Sequence, residues 1–304
     1  MQILEVSKKN FEKKRNDYNT ANDNYRRLVI DNGILQTEAD LYIFYYLKKK
    51  YVLKQMYPFE FKKYENKIKT LLSVEEHDSI VPEYFIKPRF LVRADDDHPL
   101  GDYWASDFVN GTNLNLILKD DRIPFNTKKK YLIKIGSILK EMDDIRKHTS
   151  LNNFFIGDLH ENNFMVDRQG NLLVGDVDSI RIAGNKSSTA RYLTPFSLFN
   201  KVDLESKYKS DLSDDKIGDY IVDRNTDLYC YMMILLNFLT DKRINGIEIS
   251  DFYRYLNYFN DIGIDEDLIV AFSKVLTSED NINPYEYVST LTENQVAKAR
   301  VKKL

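Results

Sequence analysis

Apolar and polar positions change rhythm several times along this chain. Up to about Arg27 the residues are rich in Lys, Asn and Asp, with sparse apolar positions, the pattern of a charged, solvated helix or arm. Between Leu28 and Lys54 short apolar runs take over. Leu28-Val29-Ile30, Leu41–Leu47 and Tyr51-Val52-Leu53 predict strands, broken by the turn residues Asp31-Asn32-Gly33. From Phe59 to Leu72, Phe61, Tyr64, Ile68, Leu71 and Leu72 recur at three- and four-residue spacing, which predicts a helix. Tyr84–Val92 and Tyr103–Val109 predict two more strands around the hydrophilic stretch Ala94–Asp102, and Asn110-Gly111-Thr112 predicts a loop.

Beyond Thr127 the texture is helical. Tyr131, Leu132, Ile135, Ile138, Leu139, Met142 and Ile145 form one apolar face. Phe164-Met165-Val166 and Leu172-Leu173-Val174 then flank the turn residues Asp167-Arg168-Gln169-Gly170-Asn171, a hairpin signal. Asp227 to Leu239 is apolar almost all round, as a fully buried helix is. The organisation this predicts is an arm over 1–27, a small strand-rich unit over 28–110, a mainly helical unit over 111–297 and a basic tail over 298–304.

Composition narrows the function classes. The chain has 304 residues, enough for about two compact units at ~150 residues each, and 43% of them are hydrophobic. A formal net charge of −3 argues against a chain-wide electrostatic grip on nucleic acid. The single cysteine, Cys230, forms no internal disulfide, and the scattered histidines His77, His98, His148 and His160 offer no metal-ligand spacing. The N-terminus has no signal-peptide pattern, and the apolar run near Met232–Leu239 falls well short of the ~20 residues that span a bilayer. A cytoplasmic protein with no membrane span is expected.

The hairpin carries the candidate chemistry. With its turn centred between Gln169 and Gly170, residues whose numbers sum to about 339 face each other, which sets Asn163 opposite Asp176 at the open end. An amide oxygen and a carboxylate then converge just after a loop that holds a second carboxylate, Asp158. Hard oxygen ligands of this kind suit Mg²⁺, and Asp158 is placed to accept or orient a hydroxyl proton.

These residues resemble the protein-kinase-like superfamily. Gly157-Asp158-Leu159-His160-Glu161-Asn162-Asn163 looks like the kinase catalytic loop, and Gly175-Asp176-Val177-Asp178 occupies the position of its metal-binding motif. Val52-Leu53-Lys54 resembles the strand end whose Lys contacts the nucleotide phosphates. Glu65 resembles that lysine's ion-pair partner, with Glu60 and Glu75 as further candidates, and His77–Val81 resembles the segment that follows the helix. Asp107-Phe108-Val109-Asn110-Gly111 is similar to the hinge between the lobes, and Asp227 to the aspartate that braces the catalytic loop. The resemblance implies an α+β, two-lobed fold with ATP and Mg²⁺ between the lobes. It gives catalytic roles to Asp158, Lys54 and Glu65, metal binding to Asn163 and Asp176, and nucleotide contacts to Lys54, Asp107, Phe108 and Val109.

Departures from the kinase pattern bear on the activity. Gly33-Ile34-Leu35-Gln36-Thr37-Glu38-Ala39 has one glycine where kinases have several, which leaves a non-catalytic pseudokinase as one alternative. Ile156-Gly157 replaces the usual His-Arg, Asp178 the metal-motif glycine, Phe196 a Glu and Asn283 that Glu's arginine partner. The acceptor signal is mixed. Thr189–Pro195 looks like the peptide-docking loop of Ser/Thr protein kinases, whereas His160 follows Asp158 as in aminoglycoside and choline phosphotransferases. A Ser/Thr protein kinase acting on a protein substrate is the first expectation, and a small-molecule kinase the alternative.

Overall fold

The apolar runs at 41–55 pair with each other in the computed structural model, which describes residues 2–6, 41–55, 61–94, 103–177, 180, 182, 224–241, 244, 247, 251–276 and 283–302. Strands β2 (Leu41–Tyr46) and β3 (Lys49–Gln55) run antiparallel, with Leu41 opposite Lys54 and Tyr46 opposite Lys49. Their two-residue turn, Leu47-Lys48, has φ of 46° and 63°. Left-handed values at both positions match the twist of tight hairpins, although Asn-Gly is the usual pair there.

The chain divides into two compact units: residues 1–116 with 162–178, and residues 117–161 with 179–304. In the first, β3 also pairs antiparallel with β5 (Tyr103–Asp107), and β5 with β4 (Pro88–Ala94). A further strand, β1 (Gln2–Val6), lies parallel to β4, so the five-stranded order is β1-β4-β5-β3-β2. Residues 2–6 are therefore a strand where the sequence pattern suggested a helix or arm. The five-residue apolar pattern of Ile3, Leu4 and Val6 is too short to stand out from its charged neighbours. Residues 7–27 and the expected strand Leu28–Ile30 lie outside the described residues.

Tyr51, Leu53, Phe90, Val92, Tyr103 and Ala105 are buried in this sheet. The Phe90 ring lies 4.9 Å from Tyr51 and 5.4 Å from Tyr46 between centroids. Helix α1 (Phe61–Glu76) packs on β4 and buries Leu71 and Val74.

Of the expected loop Asn110-Gly111-Thr112, Gly111 and Thr112 lie in a strand, β6 (Gly111–Asn113), which pairs antiparallel with β7 (Phe164–Asp167), itself paired with β8 (Leu172–Val174). Gly, Thr and Asn have turn character, so only the partner strand makes this segment extended. A Cβ on Gly111 would meet the Val166 carbonyl oxygen at 2.1 Å and the Asp167 Cα at 2.9 Å, both backbone atoms. Gly111→Ala is therefore expected to destabilise the first unit by about 1–3 kcal/mol through overpacking. Denaturant unfolding read by Trp104 fluorescence checks it, because this single tryptophan is buried in β5.

The hairpin belongs to the first unit because the segment before β4 docks on it. Phe85 bridges Val174 in parallel, Val174 N donates to Tyr84 O at 2.7 Å, and Ile86 N donates to Val174 O at 2.8 Å.

A short helix, α2 (Leu114–Lys119), follows β6, and the second unit is built on α3 (Phe125–His148) and α4 (Arg224–Thr240). Helix α4 is buried on nearly every side from Thr226 to Leu236, as its apolar run required. Tyr231 at its centre donates its hydroxyl to Leu132 O at 2.8 Å, and Phe125 stacks near Phe238. Helices α5 (Phe252–Ile262), α6 (Glu266–Leu276) and α7 (Glu293–Val301) complete the unit. A reciprocal capping box starts α7: Thr292 Oγ1 accepts from Gln295 N, and Gln295 Oε1 accepts from Thr292 N. Lys298–Val301, expected to open a basic tail, are the last turn of α7. Among the described residues no helix is long and apolar enough to cross a membrane.

Candidate active site

In the first unit, the β7–β8 ladder leads to Asn163 and Asp176 at its open end. Its pairs are Phe164–Val174, Met165–Leu173 and Val166–Leu172, so the turn centres on Gln169 and not between Gln169 and Gly170. The three-residue loop Arg168–Gly170 causes the shift. Gly170 takes φ 83°, and Asp167 Oδ1 accepts from Gln169 N at 2.9 Å and Asn171 N at 2.8 Å. Asn163 consequently faces Gly175, whose N–H donates to Asn163 O at 2.6 Å. The expected opposition of Asn163 and Asp176 is off by one residue.

Asp176 follows at φ 51°, a left-handed conformation that is rare for a residue with a side chain and that clusters at functional sites. Its Oδ1 accepts a hydrogen bond from Lys54 Nζ. The fold thus brings Lys54 at the end of β3 to the residue just past β8, across 122 positions of sequence. Asn113, in β6, steadies the same end of the hairpin by donating from Nδ2 to Asn162 O at 2.7 Å. Glu65 lies on α1, with its side chain outside the described residues; Glu60 lies outside them altogether, and Glu75 sits half-buried near the far end of α1.

Asp107, Phe108 and Val109 line a cleft of about 540 Å³ in the first unit, together with Phe85, Ile86 and Leu173. Asp107 is held by Lys49 at 2.6 Å and by Arg89 Nε and Nη2, each at 2.7 Å. Burial raises its carboxyl, but the hydrogen bonds and charges of Lys49 and Arg89 outweigh that and leave it below the ordinary range. Lys49 and Arg89 thus both pair with the Asp107 carboxylate. Lys50 Nζ lies 3.7 Å from the Phe108 ring centroid, and burial lowers the Lys50 ammonium.

Because the folded Asp107 carboxyl is depressed, its contribution to stability is complete above the unfolded value of about 4 and is lost as pH falls through the folded value. Asp107→Asn should flatten the acid limb of the Trp104-monitored stability profile. An unchanged limb would contradict this assignment.

The second unit carries Asp227 and the loop that leads into Asp158. Asp227, 3% exposed on α4, accepts from Ile156 N at 2.8 Å and Gly157 N at 2.9 Å. Those two amides immediately precede Asp158, and Gly157 takes φ 82°. His160, 8% exposed, places Nε2 3.6 Å from Asp158 Oδ2. Burial, then the charges of Asp227 and Asp158, push the Cys230 thiol up, which leaves it a packing residue and not a nucleophile.

No protein-family model matches this sequence, and no curated protein does. Among solved structures, the kinase domain of a rhoptry antigen specific to Toxoplasma gondii is similar, with a TM-score of 0.55. That likeness covers 88% of this chain and 79% of the other at 11% sequence identity. The fold is protein-kinase-like.

Within this kinase-like fold, several sequence expectations fall on residues outside the described set: Gly33–Ala39, Asp178, Thr189–Pro195 and Phe196. Asn283 is described, and Arg224 Nη2 donates to its Oδ1. A buried charge cluster that the sequence did not announce surrounds it. Asp143, on α3, takes hydrogen bonds from Arg146, from Arg224 Nε at 3.0 Å and from the Tyr285 hydroxyl at 2.9 Å. Burial raises the Asp143 carboxyl, but Arg224, then Arg146 and Tyr285, hold it below the usual range. The one available signal was Asp143 and Arg146 on an otherwise apolar helical face, three residues apart.

Proposed function

We propose that this chain is an ATP- and Mg²⁺-dependent phosphotransferase, a divergent Ser/Thr protein kinase that passes the γ-phosphoryl group to a protein hydroxyl. The observation that carries the reading is the Lys54–Asp176 contact between the end of β3 and the end of the hairpin. Beside it, Asn163 is tied to Gly175. A cation on β3 and oxygen ligands at the open end of the β7–β8 hairpin suit a phosphate chain with its metal.

The donor set also fits Mg²⁺. Among the described residues no group of three or more His, Cys, Asp or Glu side chains gathers to form a closed metal cage. One carboxylate and one amide, Asp176 and Asn163, match an ion that keeps several waters and takes its other ligands from phosphates. When bound, Mg²⁺ supplies charge neutralisation on the phosphate oxygens. Lys54 binds the phosphates, with Glu65 orienting it. The backbone of Asp107, Phe108 and Val109 receives the adenine. Asp158 orients the acceptor hydroxyl and takes up its proton.

His160 beside Asp158 favours a second reading, a small-molecule acceptor, because it adds a hydrogen-bonding group at the acceptor carboxylate. Transfer of labelled γ-phosphate from Mg-ATP to the protein itself and to a generic Ser/Thr substrate tests both. Label on protein that disappears in Asp158→Asn supports a protein kinase. ATP turnover without labelled protein moves the assignment to a small molecule. A folded protein with no turnover sinks the enzyme reading and leaves a non-catalytic binding module.

A further inference from the structure

The stretch leading into Asp158 is fastened at three backbone atoms in four residues. Arg146 Nη1 donates to Phe154 O at 2.5 Å, and Asp227 receives the N–H groups of Ile156 and Gly157. The Arg146 guanidinium also lies 4.6 Å from the Phe155 ring centroid. Ile156-Gly157 itself offers no charged side chain, so the loop is gripped through its main chain.

Both grips lead back to one carboxylate. Asp143 Oδ1 accepts from Arg146 Nη2, which fixes the guanidinium whose other terminal nitrogen holds Phe154. The same oxygen accepts from Arg224 Nε at 3.0 Å, and Oδ2 accepts from Arg224 Nη2 at 3.3 Å. Arg224 opens α4 and Asp227 lies three residues later, in the same first turn. Tyr285 OH takes the remaining approach to Oδ2 at 2.9 Å, and Asn283 Oδ1 receives a further Arg224 donor. The Asp143 side chain is 8% exposed and Arg146 12%.

We propose that Asp143 is a positioning residue for Asp158: one buried carboxylate anchors both the arginine that clamps the loop carbonyl and the helix turn whose aspartate clamps the loop amides. A buried ion cluster adds little net stability over apolar packing of the same shape, but it does fix direction. Here the direction it fixes is that of the four residues before Asp158. The inference rests on the phosphotransferase reading for its catalytic consequence, while its structural half stands on the second unit alone.

The test uses the full chain with Asp143→Asn and, separately, Arg146→Met, which removes the Phe154 clamp and leaves Asp143 and Arg224 in place. Backbone amide exchange over 154–157 is expected to accelerate at least about tenfold beyond any global change. Misplacing Asp158 is expected to lower kcat about ten- to a hundredfold. KM for Mg-ATP is expected to stay within about twofold, because uniform nucleotide binding is not what is lost. A merely structural residue would not produce that split. Should Asp143→Asn fail to fold, Arg146→Met decides alone.

Native exchange at 154–157 in a folded variant overturns the proposal, as does faster exchange with unchanged kcat. Wild-type protein without turnover defeats the phosphotransferase reading instead, and the exchange result then still decides whether Asp143 holds the loop.

Discussion

Asp158→Asn is expected to lower phosphoryl transfer by about two to four orders of magnitude, the usual worth of a positioned acid–base group. The substitution keeps the shape of the side chain and its hydrogen-bonding to an acceptor hydroxyl. It removes the oxygen proposed to take the proton. The fold should register little of the change, because Asp227 and Arg146 hold the loop main chain. Thermal unfolding within about 0.5 kcal/mol of wild type, typical of substitutions away from structural features, would show the loss to be chemical. Turnover that survives the substitution would remove Asp158 from the mechanism.

Asp227→Ala is expected to act in the opposite sense, on stability first and on activity through it. The carboxylate is 3% exposed, and both its oxygens are occupied by buried main-chain N–H groups of Ile156 and Gly157. Alanine leaves two donors without an acceptor in a place water does not reach readily. At about 1–3 kcal/mol for each unsatisfied buried group, the loss is roughly 2–6 kcal/mol. Asparagine restores a single acceptor and turns an NH₂ toward the other N–H, so Asp227→Asn should fall between. Denaturation midpoints of the three proteins check the order, and equal midpoints for alanine and wild type would refute it.

The parts of the molecule legible in the sequence are those whose signal is local. Phe164–Val166 and Leu172–Val174 are two apolar triplets around five turn residues, and they form the hairpin expected of them. The run from Asp227 to Leu239 is apolar on every side, and α4 is buried on nearly every side. The kinase resemblance pairs Lys54 with Asp176 in one expected site, and Lys54 Nζ donates to Asp176 Oδ1. What escaped depends on partners far along the chain. Gly111–Asn113 is a strand because β7 lies beside it. The hairpin register moved by one because Gly170 supplies a left-handed residue to a three-residue loop, a detail of φ and not of hydrophobicity. Arg224 and Asp143 are separated by 81 positions, and neither hints at the other in the pattern of residues. A carboxylate on a mostly apolar helix face is informative only once its guanidinium is known.

Strand β1 has a consequence for how the chain is made. Gln2 to Val6 pair in parallel with Phe90 to Ala94, so these residues have no place to dock until β4, far later in the chain, has been made. Parallel pairing across so long a loop is slow, because the closure entropy is spent before any contact rewards it. Until it happens, β4 presents a row of unpaired N–H and C=O groups along one side, a template that another nascent chain can occupy. In the finished protein β1 covers that edge. Crowded synthesis and refolding at high concentration are therefore where β4 is exposed to strand exchange between copies, and the docking of β1 moves the sheet edge out by one strand.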